Sequence, residues 1–216
     1  MQDYYANWDL IYCLILFLIL KLMLSNILKK YDIILGSASI RRKQLLDQLQ
    51  VKFSIRVTKE KEAYPKDLSS VEIAKFLAKQ KANFISKSLS GNYLLITADT
   101  IVVQNNIILH KPKNKDEAKI VLKSLSGKNH KVISGVCLRS NKKEISFSSE
   151  TKVTFSKLSE DEIAYYIKKF KPYDKAGSYG IQEWIGYIGI EEINGSYNNV
   201  VGLPTAELYQ NLKLFI

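Results

Sequence analysis

With two cysteines in 216 residues, Cys13 and Cys137, the chain has no means of building a disulfide framework. Two histidines, His110 and His130, exclude a multi-histidine metal centre, and no Cys/His cluster has zinc-site spacing. Four prolines and ten glycines, without an internal repeat or a Pro/Ser-rich linker, rule out collagen-like and low-complexity classes. Only four of the 32 basic residues are arginine: Arg41, Arg42, Arg56 and Arg139. The aromatics are not interleaved with arginine in a nucleic-acid recognition pattern, and no block of like charges forms a binding tail. A reduced, cytoplasmic setting is the expectation.

What is present suits one ordinary globular domain: 46% hydrophobic and 25% charged residues supply both a core and a solvated surface. The formal charge of +11 favours polyanionic partners: nucleic acid, phosphorylated small molecules or an anionic membrane surface. Because 28 of the basic residues are lysines scattered through helices, a solvated face explains the same excess.

Leu10–Leu20 is an apolar run followed by Lys21, too short for a membrane-spanning helix, which needs roughly 20 apolar residues. A secretory signal would carry a positive start, whereas Asp3 and Asp9 precede this run without a Lys or Arg. Residues 1–22 are therefore read as an over-extended start, with translation beginning at Met23. An anchor and a structural helix are the alternatives, and membrane tethering is expected only if those residues are real. A single domain spans 23–216.

From Asp32 onward strand-like and helix-like segments alternate, which predicts an α/β fold with a mixed sheet. Asp32–Leu35 reads as a buried strand, Ile40–Leu49 as a helix, and Lys52–Val57 as a strand. Ser69-Ser70-Val71-Glu72 is a capping box opening a helix to about Leu89, and Ser159-Glu160-Asp161-Glu162 opens another to Lys169. Leu94–Val103, Val132–Leu138 and Glu144–Phe155 read as strands, Asp116–Leu125 and Thr205–Phe215 as helices.

Chemistry concentrates in few places. Gly36-Ser37-Ala38-Ser39-Ile40-Arg41-Arg42 joins a strand end to a helix start. Small residues there let a phosphate approach, the hydroxyls and helix N–H groups donate to it, and guanidinium groups fork onto its oxygens. A tight turn with surface arginines is the plainer reading. Asp99 lies inside an otherwise apolar strand beside Thr97 and Thr100, where an ionised carboxylate needs a metal, a cation or hydrogen bonds. Holding Mg²⁺ or deprotonating water are its candidate tasks. Lys111-Pro112 and Asp174-Lys175-Ala-Gly-Ser-Tyr179 each set a lysine beside a backbone stiffener, and surface lysine is the plainer reading of both. His130 reads as structural and Cys137 as a core residue without a histidine to activate it.

In order along the chain come Ser37-x-Ser39-x-Arg41-Arg42, Ala98-Asp99-Thr100, Lys111-Pro112, Ser126-Gly127 and His130-x-Val132-x-Ser134-Gly135-Val136. Lys175-Ala-Gly-Ser-Tyr-Gly-Ile-Gln182 and Gly195-Ser-Tyr-x-Asn-Val-Val-Gly-Leu-Pro204 follow. This series resembles the Maf family of nucleoside triphosphate pyrophosphatases over about residues 30–214. The resemblance implies an elongated α/β fold similar to the inosine triphosphate pyrophosphatases, two lobes with a central cleft. It implies hydrolysis of a nucleoside triphosphate to the monophosphate and pyrophosphate, a divalent cation (Mg²⁺ or Mn²⁺) and a homodimer. By position Asp99 matches the proton acceptor, and Arg41, Thr100 and Gln182 match the positions tied to substrate choice. Glutamine at the last of these implies dTTP and UTP; glutamate there would imply 7-methyl-GTP. Glu62 matches an early acidic residue, which with Asp99 would hold the metal. Ser37, Ser39, Arg42, Lys81, Lys111 and Lys175 complete the expected phosphate site. Three departures stand out: Ile40 where proline is usual, Ser134 for the commoner Thr, and Glu183 after Gln182 where glycine is frequent.

Other readings stay open at this point. A nucleic-acid-binding module would account for the basic charge, and a non-enzymatic nucleotide sensor would keep the phosphate cradle but not Asp99. A purine-type pyrophosphatase acting on ITP or 7-methyl-GTP is the nearest catalytic alternative.

Overall fold

A computed structural model describes residues 28–59 and 63–215. The apolar run before Met23 and the candidate metal ligand Glu62 lie outside the described residues. The chain runs through β1 (Asp32–Leu35), α1 (Ile40–Gln48), β2 (Ser54–Ile55), α2 (Ser70–Ser86), β3 (Tyr93–Gln104) and β4 (Ile107–Leu109). It continues through α3 (Lys115–Leu125), β5 (Asn129–Arg139), β6 (Glu144–Phe155) and α4 (Glu160–Phe170). A 3₁₀ turn (Ala176–Ser178), α5 (Trp184–Gly189), β7 (Ile190–Asn194), α6 (Tyr197–Val201) and α7 (Thr205–Phe215) complete it. Both capping boxes form as the sequence predicts, Ser69 with Glu72 and Ser159 with Glu162.

Two expectations need correction. The strand predicted over Lys52–Val57 shrinks to Ser54–Ile55, an exposed edge pair bonded to β1, because no further strand among the described residues lies on its outer side to reward a longer ladder. The helix predicted to Leu89 ends at Ser86. The hairpin that adds β4 to β3 was not anticipated, although Asn105 and Asn106 mark it: both adopt positive φ, +49° and +62°, in the two-residue turn that matches strand twist.

Among the described residues seven strands make one mixed sheet in the order β2-β1-β3-β5-β6-β7, with β4 also on β3. β1 runs parallel to β2 and to the first part of β3; the other pairings are antiparallel. Alternation along β3 divides the interior. Leu94, Ile96, Ala98 and Val102 face one side, while Leu95, Ile101 and Val103 face α2. On the first side the core is in two parts. One gathers β1, α1 and α7 around Leu46, Leu208 and Phe215; the other gathers α3 and α4 around Leu122, Phe155 and Tyr166. Thr100 and Ser134, paired across β3 and β5, fall between these two clusters.

On the other side α2 packs closely against the sheet. Ala74, Ala78 and Ala82, one turn apart and fully buried, present the helix backbone rather than a bulky side chain. Opposite them is Gly135, where an added Cβ would stand 2.1 Å from the Ala74 carbonyl oxygen. Thr97 ties the two layers by donating to the Ala78 carbonyl at 2.7 Å.

Candidate active site

β3 is bonded to β1 only over Tyr93–Ile96 and to β4 only over Val102–Gln104. Between those stretches no strand among the described residues pairs with this edge, and a cleft of about 750 Å³ occupies the gap. Residue alternation aims Asp99 at α2 and Thr100 at the opposite side. Asp99 is buried and forms a short ion pair with Lys81 of α2, whose ammonium also reaches the Ala98 carbonyl at 3.4 Å. Lys81, hard to separate by sequence from solvated helix lysines, is thus brought directly onto the acid.

The first rim is the turn between β1 and α1. Ser39 caps α1 by accepting from the Arg42 N–H at 3.4 Å, and Ser37 Oγ accepts from the Ser39 N–H at 3.2 Å. Arg42 then reaches inward. Its Nε donates to the Gly202 carbonyl at 2.8 Å, Nη1 to Ser37 Oγ at 3.2 Å and Nη2 to Thr100 Oγ1 at 3.0 Å. Thr100 Oγ1 is 2.8 Å from Ser134 Oγ, which donates to the Asn199 carbonyl at 3.3 Å. Buried Asn199 donates in turn to the Val132 carbonyl and to Thr151 Oγ1 at 3.0 and 2.9 Å. The fork expected to grasp phosphate is therefore engaged in binding rim, strand and the Gly202 turn together. Arg41 extends across the cleft mouth instead, donating to Asp174 at 2.8 Å.

The second rim follows α4. Lys175 is buried, with its ammonium 2.7 Å from Asp174 and 3.0 Å from Glu183. Burial alone would raise the Asp174 pKa, but hydrogen bonds from Lys175 and Arg41 outweigh it and hold the carboxyl below its usual range. The backbone turns sharply here: Gly177 and Ser178 have φ of +73° and +61°. A Cβ on Gly177 would sit 3.0 Å from Val102, so glycine also allows this rim to lie against β3. Gln182 lines the cleft, and its Oε1 is buried without a hydrogen-bond partner among the described residues. Lys111 reaches the same cleft from just beyond β4.

Ser37, Ser39, Arg41, Arg42, Lys81, Asp99, Thr100, Lys111, Lys175 and Gln182, drawn from across the chain, all border this one space. Cys137 and His130 do not. Cys137 is packed in the core, its thiol pushed up to about 12 chiefly by burial. His130 stacks on Phe155 and meets the Tyr179 hydroxyl at 2.7 Å, with burial pulling its pKa down to about 4. Sequence reasoning missed Asp174 as the partner of both Arg41 and Lys175, and noted Glu183 only as an added charge. The Asp174-Lys175 adjacency was the available signal for the first. Val200, Val201 and Gly202, from the Gly195–Pro204 stretch, also border the cleft.

A family model described as Maf-like protein matches residues 32–215. A dTTP/UTP pyrophosphatase of Parabacteroides distasonis is 50% identical over 194 residues, 89% of this chain and 100% of its own. One from Flavobacterium johnsoniae is 47% identical over 194 residues, 90% of this chain and 100% of its own. One from Phocaeicola vulgatus is 50% identical over 192 residues, 88% and 99% respectively. Among solved structures, a nucleoside-triphosphatase / dITP/XTP pyrophosphatase of Mycobacterium abscessus shares 12% identity, covering 59% of this chain and 75% of that one, at a TM-score of 0.37, too slight a likeness to carry weight.

Proposed function

The chain belongs to the Maf family, and on that premise we propose that it hydrolyses dTTP and UTP to the monophosphate and pyrophosphate. The observation that carries this reading is one cleft bordered by a buried acid, several cationic side chains and an amide oxygen without a partner: Asp99, Arg41, Lys81, Lys111, Lys175 and Gln182. The cations match a triphosphate in charge. The Gln182 amide, offering both a donor and an acceptor, matches the edge of a pyrimidine base.

In this reading Arg41, Lys111 and Lys175 receive the triphosphate, and Arg41 exchanges Asp174 for a phosphate oxygen as the nucleotide enters. Arg42 keeps the Ser37 turn fixed against Thr100 and Gly202. Lys81 fixes the Asp99 carboxylate, which takes a proton from a water aimed at the α-phosphorus. The water oxygen bonds to that phosphorus, the bond to the bridging α–β oxygen breaks, and pyrophosphate leaves. Positioning and charge neutralisation supply most of the acceleration.

Among the described residues no three His, Cys, Asp or Glu side chains gather into a metal site. Asp99, a carboxylate on the cleft wall, would be the ligand the described residues offer to a Mg²⁺ or Mn²⁺ ion arriving with the nucleotide. When bound, the ion supplies neutralisation of phosphate charge. Glu62, outside the described residues, is the further candidate ligand. A nucleotide substrate makes the cytoplasm the site of action, and among the described residues no helix is long and apolar enough to cross a membrane. The working unit in this reading is a homodimer, which the mass in solution tests.

The reading is tested by pyrophosphate release from a panel of common and modified nucleoside triphosphates with Mg²⁺. Preferential turnover of dTTP and UTP is expected. Turnover confined to ITP or 7-methyl-GTP would keep the reaction and overturn the assignment of base preference to Gln182. No turnover by folded, Mg²⁺-supplied protein would overturn the reading as a whole.

A further inference from the structure

Gln182 sits in a tight turn closed by the Glu183 N–H donating to the Gly180 carbonyl at 3.0 Å. Both ends of that turn meet a single group outside it. The hydroxyl of Tyr166, on α4, accepts from the Gly180 N–H at 3.0 Å and donates to Oε2 of Glu183 in a short hydrogen bond. The ring is fully buried and stacked on Phe170, with centroids 5.1 Å apart, so the hydroxyl has a fixed position. Burial, and after it the adjacent Glu183 carboxylate, hold the phenol well above its ordinary range, which keeps it a donor. The other oxygen of Glu183, Oε1, is 3.0 Å from the Lys175 ammonium. A side chain at position 180 would displace the Glu183 carboxylate, since a Cβ there would lie 2.8 Å from its carboxyl carbon.

We infer that Tyr166 and Glu183 are positioning residues for base recognition, clamping the turn at both ends so that the Gln182 amide meets the pyrimidine at one depth and one angle. An amide that reads a base by paired hydrogen bonds discriminates only while it is aligned, because such bonds weaken steeply as their angle degrades. A free-standing turn would let the amide swing and accept either arrangement of donors and acceptors. The clamp explains why a carboxylate beside the base-reading residue does not itself read the base: Tyr166 and Lys175 occupy its oxygens. This inference rests on the proposed base-reading role of Gln182.

The experiment uses the full chain with dTTP and dCTP as substrates, and with inorganic tripolyphosphate, which has no base, as competitor. Tyr166→Phe removes the bridging hydroxyl and leaves the Glu183–Lys175 pair in place. We expect it to lower the dTTP-to-dCTP ratio of kcat/KM about tenfold, the scale of one hydrogen bond. The loss should lie mainly in the KM for dTTP, with tripolyphosphate inhibition unchanged. Glu183→Ala, which also releases Lys175, should lower that ratio similarly, and the double variant no further, because base choice depends on the one Tyr166–Glu183 hydrogen bond. An unchanged ratio in Tyr166→Phe, in the presence of a collapsed ratio in Gln182→Ala, would overturn the clamp alone. Equal weakening of tripolyphosphate would also overturn it, assigning the pair to the phosphate side. An unchanged ratio in Gln182→Ala would remove the base-reading role, and the clamp with it.

Discussion

Asp99 and Thr100 are adjacent on one strand, yet the two sides of the sheet hold them in different ways. Thr100 is one node of a continuous polar seam: Arg42, Ser37, Ser134, Asn199, Thr151 and the Gly202 carbonyl are bonded to it or to one another. That seam crosses the floor between two hydrophobic clusters and fixes the first rim to the sheet. Asp99 is ion-paired with Lys81, and its place is set instead by backbone packing, through the alanine stripe of α2 and Gly135. A network of hydroxyls, amides and one guanidinium makes a rigid frame, because its members bond one another where they stand. An acid held by an ion pair can exchange that partner for water and substrate. Frame and reactive group thus stand on consecutive residues that face opposite sides of the sheet.

The sharpest way to break this contrast is Asp99→Asn. It should leave the fold and the Thr100 seam intact while lowering dTTP turnover at least about 10²-fold, the usual scale for a general base. Near-normal turnover with an unchanged circular dichroism spectrum would remove Asp99 from that role. Gly135→Ala attacks the packing that sets Asp99 in place. With a Cβ 2.1 Å from the Ala74 carbonyl, α2 must lift away, which should cost about 2 kcal/mol in urea unfolding. Turnover should fall with it, as Lys81 moves away from Asp99.

On the other side, Thr100→Val keeps the shape but leaves Arg42 Nη2 and Ser134 without their shared partner. A loss of about 1.5 kcal/mol in stability is expected, from unsatisfied groups rather than from lost volume. Unchanged stability would mean that the seam is not a frame. The smallest effect concerns His130, buried on the Thr100 side against Tyr179 and Phe155. Its pKa of about 4 in the fold lies below the ordinary 6.5, so the unfolded chain binds the extra proton between those values. The stability this contributes is complete above pH 6.5 and is lost as pH falls toward 4. Between about pH 7 and 5.5 the difference amounts to about 1 kcal/mol. His130→Gln should flatten that part of the melting-temperature profile, and an equally steep profile in the variant would exclude His130 as its source.

Local signals made most of the fold legible. The two capping boxes, the long apolar β3 and the acids that open α3 and α4 each follow from near neighbours in sequence, and each forms as read. The Lys52–Val57 strand was over-read because periodicity cannot tell an edge pair from a central strand. β4 was missed because three residues are too few to show a period, although Asn105-Asn106 announced its turn. In the site, the residues bordering the cleft were legible from spacing and resemblance, but their pairings were not. Lys81 meets Asp99 only because Ala74, Ala78, Ala82 and Gly135 let α2 down onto the sheet, a tertiary fact spread over four positions. The inward turn of Arg42 depends on the Gly202 carbonyl, 160 residues further on. The Tyr166 clamp likewise joins a helix to a turn whose contact no local pattern encodes.

Water attack at the α-phosphorus in this cleft is the central claim, and hydrolysis of dTTP in oxygen-18 water tests it most directly. Label recovered in dTMP, with unlabelled pyrophosphate and with both products suppressed together in Asp99→Asn, is the predicted result. Label recovered in pyrophosphate would place the attack at the β-phosphorus and contradict the assignment of Asp99 as the base that activates water.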